Sequence, residues 1–168
     1  MGIETTLKRA ELFLGLDDAA LLKVAELPSS HRAEFPPGEI IFKNGASATY
    51  LYVLVRGQVD LVADLPSEYQ PARKTLLIDR ITTGSCFGWS ALVRPHFYAM
   101  SAICTKPTEV VTINGTELMG LLEEDNHIGY IVFQSLSHII GSRLRDVEKT
   151  LASYFTVKSE ESSSNQGK

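Results

Sequence analysis

The feature that most constrains the fold is a series of short apolar runs between positions 32 and 113, which glycines separate every ~10 residues. These runs are rich in Val, Ile, Leu, Tyr and Phe, the residue types that favour strands. Glycine supplies the positive-φ backbone of tight turns. The spacing predicts a β-sandwich or barrel, and the region lacks the long 3.6-residue period of a βαβ unit. The predicted strands are Glu39–Lys43, Tyr50–Val55, Gln58–Ala63, Leu76–Ile81, Ala99–Cys104 and Glu109–Ile113.

Two connections between these strands have distinct patterns. The pair Arg56-Gly57 lies between two apolar runs and predicts a hairpin. The segment Asp64–Lys74 contains two prolines and charges of both signs, which predicts a surface loop.

Helical patterns flank this region. Asp17 is the predicted N-cap of a helix that ends at Pro28, and a shorter helix is predicted around Thr5–Leu14. After the last strand, a short helix is expected from Asn114 to about Glu124. One long helix, His127–Phe155, is expected next, and the polar tail beyond it is predicted to be disordered.

The long predicted helix carries two apolar stripes. One has the alternating spacing of three and four that is typical of a coiled-coil seam: Phe133, Ser137, Ile140, Leu144, Val147, Leu151 and Tyr154. The other is expected to face the sheet: Ile128, Ile131, Val132, Leu136 and Ile139. Because the first stripe would be exposed on a single chain, it predicts a homodimer through this helix.

Charge and residue usage exclude several classes of protein. Sixteen basic against twenty acidic residues give a net charge of −4, the opposite of a nucleic-acid-binding surface. The longest apolar runs are ~5 residues, too short to cross a membrane. Two cysteines, Cys86 and Cys104, form no disulfide framework and favour a cytoplasmic location. We expect no metal site and no catalytic residues, because the sequence has no HExxH or GxSxG motif.

Two motifs carry a family resemblance. The first is Phe35-Pro-Pro-Gly38-Glu-Ile-Ile-Phe-Lys-Asn-Gly45, followed by Leu51-Tyr-Val-Leu-Val-Arg-Gly57. The second is Gly84-Ser-Cys-Phe87-Gly88-Trp89-Ser-Ala91-Leu92. With the order of elements, they resemble the cyclic-nucleotide-binding domain of the catabolite-activator-protein and FNR regulator superfamily, over about Leu12 to Phe155.

The resemblance implies an α+β, mainly β fold: a double-stranded β-helix, or jelly roll, with N-terminal helices and a long C-terminal dimerisation helix. We expect one structural domain in four segments. These are the N-terminal helices (1–31), the β-roll core that binds ligand (32–113), the short and long helices (114–156) and the disordered tail (157–168).

The resemblance also implies a phosphate-binding cassette, in which backbone amides of the Gly88–Ala91 turn hold an anion. We expect the ligand between this turn and the first half of the long helix, where Ser135 or Ser137 adds a hydroxyl. The predicted binding residues of the roll are Phe87, Gly88, Trp89, Ser90, Ala91, Leu92, Arg94, Tyr98 and Ala99.

The sequence departs from the family pattern at two of these positions. Trp89 stands where the family has a Glu for the ribose 2′-hydroxyl, and Tyr98 stands where it has an Arg for the phosphate. Arg94 and Arg80 are the alternative anion partners. Because a neutral group does not replace the charge-assisted bonds of an Arg, we expect weak affinity for cAMP.

These inferences predict a regulatory module that senses a small ligand and signals to a separate protein partner. The expected ligand is a cyclic nucleotide or another phosphate-bearing or acidic molecule, and no further cofactor is expected. One alternative is a ligand-free roll that serves dimerisation or docking. A cupin-like metal enzyme is the other, but the His and Glu ligand set is missing. Family transcription factors continue into a helix-turn-helix domain, whereas only Thr156–Lys168 follows the long helix here. We therefore expect a stand-alone sensor that does not bind DNA itself.

Overall fold

The fold is a roll of two four-stranded antiparallel sheets, seen in a computed structural model that describes residues 2–64 and 75–164. One sheet has the order β1-β8-β3-β6 and the other β2-β7-β4-β5. The strands are β1 (His31–Phe35), β2 (Ile40–Phe42), β3 (Tyr50–Arg56), β4 (Val59–Asp64), β5 (Thr75–Ile81), β6 (Cys86–Phe87), β7 (Ser101–Cys104) and β8 (Thr108–Asn114). The predicted jelly-roll class is confirmed.

The chain passes from one sheet to the other at Arg56-Gly57, so the hairpin predicted there is wrong. Strand β3 pairs with β8 and β6, whereas β4 pairs with β5 and β7. Gly57 has φ +100°, and a Cβ on it would lie 2.5 Å from the carbonyl oxygen of Pro107. Glycine is therefore needed for a tight crossing between sheets, and such a turn has the same residue pattern as a hairpin.

Each of the six predicted strands is present, with ends shifted by up to two residues. The strands without an individual prediction are β1, which alternates charged and apolar residues, and β6, which has two residues. Asp64, at the start of the predicted loop, belongs to β4, and positions 65–74 lie outside the described residues.

The N-terminal part contains helix α1 (Ile3–Leu7), a 3₁₀ turn (Glu11–Phe13) and helix α2 (Asp18–Ala25). The Asp17 side chain accepts a hydrogen bond from the Ala20 N–H at 2.8 Å, as predicted for an N-cap. The single helix predicted around Thr5–Leu14 is wrong, because bonds to the roll interrupt it. The N–H of Glu11 binds the Gly84 carbonyl at 3.0 Å, and its carboxylate accepts from the Cys86 N–H at 2.8 Å.

Two helices follow the roll, α3 (Gly115–Glu124) and α4 (Asn126–Ser164). Asn114 caps α3 through its side-chain oxygen, which accepts from the N–H groups of Thr116 and Glu117. Helix α4 continues past its predicted end, so positions 157–164 of the predicted disordered tail are helical. Neither proline nor glycine occurs between Phe155 and Gly167, and lengthening an existing helix requires no new nucleation. Positions 165–168 lie outside the described residues.

The core has two parts, on opposite faces of β3. Leu51 and Val53 pack against the helices, in a cluster that includes the predicted buried stripe of α4 at Ile128, Val132, Leu136 and Ile139. Tyr52 and Leu54 point between the two sheets, in a second cluster. Along the other stripe of α4, Leu144 is 58% and Leu151 44% exposed. The first half of α4 is therefore fixed to the core, and its heptad stripe faces outward.

Candidate functional site

The turn of the second motif is formed by Gly88 and the 3₁₀ turn Trp89–Leu92 that follows β6. Gly88 has φ +72°, and a Cβ on it would lie 2.9 Å from both the carbonyl oxygen of Tyr50 and the ring of Tyr52. A larger residue would therefore distort the turn. The first N–H groups of a helical turn have no acceptor within it, which suits them to bind an anion.

A small cavity of about 60 Å³ lies beside this turn. Gly88, Trp89 and Ser90 form one side of it, and Arg143, Asp146 and Val147 of α4 form the other. Ligand pockets are typically ~300–1,000 Å³, whereas a water needs only ~10–15 Å³. In this conformation the cavity accommodates a few waters, and a nucleotide requires it to open.

An aromatic cluster fills the adjoining part of the roll. The rings of Phe42 and Tyr98 stack with centroids 3.8 Å apart, and those of Tyr52 and Phe87 with centroids 5.1 Å apart. Phe42 also makes tilted contacts with Tyr52 and Phe87, at centroid distances of 5.7 and 6.1 Å, and contacts of this tilted kind add to the stability that burial gives the rings. The interior of the roll is therefore mainly aromatic next to the cavity, which Phe42 and Tyr98 also line.

Tyr98, which stands at the family's Arg position, is only 4% exposed. Its hydroxyl donates to the carbonyl of Tyr50 at 2.7 Å and accepts from the N–H of the same residue at 3.1 Å. Burial raises the pKa of Tyr98 and also that of Tyr52 beside it, so both phenols are neutral. The position supplies packing and backbone hydrogen bonds instead of positive charge.

Neither of the two arginines proposed as anion partners lines the cavity. Arg80 binds both carboxylate oxygens of Asp60, at 2.8 and 3.0 Å, in an exposed pair. Arg94 lies in a separate surface groove with Ala91, Leu92 and His96. Arg80 is thus bound to another carboxylate, and Arg94 lines a different groove.

Among the described residues that line the cavity, the cation is Arg143 of α4, which the sequence reasoning missed. Its guanidinium forms an ion pair with Asp79 of β5 and lies 3.7 Å from a carboxylate oxygen of Glu11. A signal was present in the sequence. Arg143 follows Ile139 at the four-residue spacing of the buried stripe, so a charged residue there had to face the roll.

The structure brings together some of the predicted site residues. Gly88, Trp89, Ser90, Tyr98 and Ala99 line the cavity. Phe87 packs in the aromatic cluster, and Ala91 and Leu92 are buried on the far side of the turn.

The two serines expected from α4 are not among the residues of the cavity wall. Ser137 is exposed and donates to the carbonyl of Gln134 at 2.7 Å, and Ser135 lies on the same early part of the helix. Helix α4 meets the cavity about two turns later, around Arg143, because its first half packs on the N-terminal segment and α3 instead.

Both cysteine thiols are buried. Burial raises the pKa of the Cys86 thiol to about 12 and that of Cys104 above its usual value, so both thiols are protonated at neutral pH. Within residues 2–64 and 75–164, no group of three or more His, Cys, Asp or Glu side chains is placed to hold a metal ion. None of the helices in these ranges combines the length and apolar character needed to cross a bilayer.

Comparison with known proteins relates this geometry to a family. The model of the family "Cyclic nucleotide-binding domain" matches residues 32–125. A comparison with curated protein sequences finds no match.

Solved structures share the fold. A candidate cyclic nucleotide-binding protein from Geobacter metallireducens is 30% identical, with a TM-score of 0.70 over 86% of this chain and 99% of that chain. A cyclic nucleotide-binding domain from Methylobacillus flagellatus is 16% identical, with a TM-score of 0.74 over 90% of this chain and 82% of that one. The catabolite activator protein of Thermus thermophilus is 22% identical, with a TM-score of 0.68 over 85% of this chain and 62% of that one.

Proposed function

The chain belongs to the cyclic nucleotide-binding domain family, and on that premise we propose that it senses a small ligand and passes the signal to a separate protein. The ligand site is the cavity between the Gly88–Ser90 turn and α4. The ligand is a cyclic nucleotide or another phosphate-bearing or acidic molecule, whose anion rests on the backbone amides of the turn.

One observation carries this proposal: the cavity has the turn on one side and α4 on the other. Since a nucleotide exceeds about 60 Å³, its entry must displace the wall that moves most easily. Beyond Ile140 the described side chains of α4 are mostly exposed or half-buried, whereas the strands of the cavity wall are held by hydrogen-bonded pairing within a sheet. A bound ligand therefore changes the position of α4, which gives a signal outside the roll.

Helix α4 is also the proposed dimerisation element. Its exposed apolar side chains Leu144, Leu151 and Phe155 would lie against a second copy of the chain. A ligand that moves α4 would then alter the dimer, and a separate protein would detect the change.

The acidic balance, with a net charge of −4, supports a protein partner and not DNA. Two buried free thiols support a cytoplasmic location.

A second candidate function is favoured by the aromatic cluster. Tyr98 is stacked on Phe42, and its hydroxyl is already bound to the backbone of Tyr50. If this filling is permanent, the roll binds no ligand and serves as a dimerisation or docking unit.

Calorimetric titration with cAMP separates the two candidates. The protein itself should bind cAMP weakly, and the double variant Trp89→Glu with Tyr98→Arg should bind it at least ~10-fold more tightly, since each charge-assisted hydrogen bond contributes about 1.5–3 kcal/mol. Tyr130→Arg makes the same substitution at an exposed tyrosine and should leave the affinity unchanged. No heat of binding for cAMP or cGMP with either the protein or the double variant would favour the ligand-free roll.

A further inference from the structure

The cavity has an unusual balance of charge for a family whose ligand carries a phosphate. The charged groups among the described residues of its wall are one guanidinium, that of Arg143, and two carboxylates, those of Asp79 and Asp146. An anion that enters such a site meets net negative charge, which opposes its binding. The site therefore accepts an anion only if one of these carboxylates gives up its place beside Arg143.

Asp79 is the carboxylate that lies beside the Arg143 guanidinium. Its side chain is 18% exposed and that of Arg143 is 22% exposed, so water screens the pair only in part. Oδ2 of Asp79 is buried and forms no hydrogen bond within the described residues, and the Arg143 guanidinium is the group that lies against it. The negative charge of Asp79 thus stands beside the cation where the anion of a ligand would stand.

The same arginine connects three parts of the fold. Arg143 lies on α4, Asp79 on β5, and Glu11 on the N-terminal 3₁₀ turn. Apolar packing fixes α4 as far as about Ile140, and Gly141, which favours local bending, comes directly before the segment that covers the cavity. The ion pair is therefore a contact by which this part of α4 is held on the roll.

We propose that Asp79 is an internal counter-ion that keeps the cavity closed, and that Arg143 is the residue that selects an anionic ligand by exchanging Asp79 for the ligand's phosphate or carboxylate group. This inference rests on the proposed ligand site. The exchange frees β5 from α4, so binding of an anion is coupled to movement of the helix. A ligand without negative charge gains nothing from Arg143 and leaves the ion pair closed.

The test compares four proteins: the native chain, Asp79→Asn, the double variant Asp79→Asn with Arg143→Gln, and Asp60→Asn. The last is the matched control, because it breaks the Asp60–Arg80 pair between β4 and β5, whose carboxylate is 14% exposed, without changing the cavity wall. Calorimetry measures cAMP, which carries the anion, and adenosine, which has the same base and ribose without it. The rate of hydrogen exchange at the amides around Arg143 reports how firmly this part of α4 is packed on the roll.

We expect Asp79→Asn to bind cAMP at least ~10-fold more tightly than the native chain. The amide hydrogens of α4 around Arg143 should also exchange with solvent faster in this variant. Adding Arg143→Gln should remove this gain in cAMP affinity. Asp60→Asn should bind cAMP no more tightly than the native chain, and no variant should bind adenosine more tightly. If the native chain binds cAMP and Asp79→Asn binds it no more tightly, the counter-ion proposal is overturned and the ligand site stands. If none of the four proteins binds cAMP, the counter-ion proposal fails together with the proposed cyclic-nucleotide ligand. Binding by Asp79→Asn alone would support both.

Discussion

Removal of the Tyr98 hydroxyl tests whether this residue acts as a structural filler. The variant Tyr98→Phe keeps the ring, and with it the stack on Phe42 at 3.8 Å. It removes the two hydrogen bonds to Tyr50, at 2.7 and 3.1 Å, from a side chain that is 4% exposed. Each such bond contributes about 0.5–1.5 kcal/mol net, so the free energy of unfolding should fall by about 1–3 kcal/mol.

Urea unfolding followed by far-UV circular dichroism measures this change, at one protein concentration because dimerisation would otherwise shift the midpoint. For a chain of this length, a loss of 2 kcal/mol corresponds to a melting temperature lower by about 4–8 °C. Tyr130→Phe, at a side chain that is 68% exposed, is the control and should stay within ~0.5 kcal/mol of the native chain. If Tyr98→Phe is as stable as this control, the hydroxyl has no structural role and the filler interpretation is wrong.

Two further predictions concern other parts of the chain. Leu144→Asp together with Leu151→Asp should convert the proposed dimer into a monomer, because each leucine buried in the seam would contribute about 1.5–3 kcal/mol; an unaltered sedimentation profile would exclude the seam. Cys86, whose thiol pKa burial raises to about 12, should not react with a disulfide reagent in the native protein at pH 8 but should react fully in denaturant. Fast labelling of the folded chain would show that this thiol is accessible.

The sequence predicted the roll well because its signals are local. Glycine-separated apolar runs indicate strands directly, and the Asn114 and Asp17 caps predict where helices begin. Which strands pair is not a local property. The Arg56-Gly57 turn has the residues of a hairpin, but the partners of β3 and β4 come from distant parts of the chain, at β8 and β7.

The candidate site was predicted in part, for the same reason. The turn residues Gly88–Ser90 are identified by a contiguous motif and do line the cavity. The charged residues of the cavity lie far apart in the sequence, with Asp79 on β5 and Arg143 on α4. Arg80 is next to Asp79 in the sequence but pairs with Asp60 of β4, whereas Ile78 and Asp79 both line the cavity at a register shift between β4 and β5, which the sequence pattern does not reveal.

The family arginine and the aromatic cluster exclude each other at position 98. Tyr98→Arg would remove the stack on Phe42 and both bonds to Tyr50, and would place a guanidinium at a site that is 4% exposed. A poorly paired buried charge costs about 3–5 kcal/mol, so this variant should unfold more easily than Tyr98→Phe. An anionic ligand would supply the missing counter-charge and stabilise the folded state by about 2.7 kcal/mol at 100 times its Kd. Melting curves should therefore show Tyr98→Arg as the less stable variant without ligand and as the more strongly stabilised one with cAMP. Equal melting temperatures for the two variants, with no response to cAMP, would show that the roll accommodates the charge without a ligand and that position 98 does not contact the site.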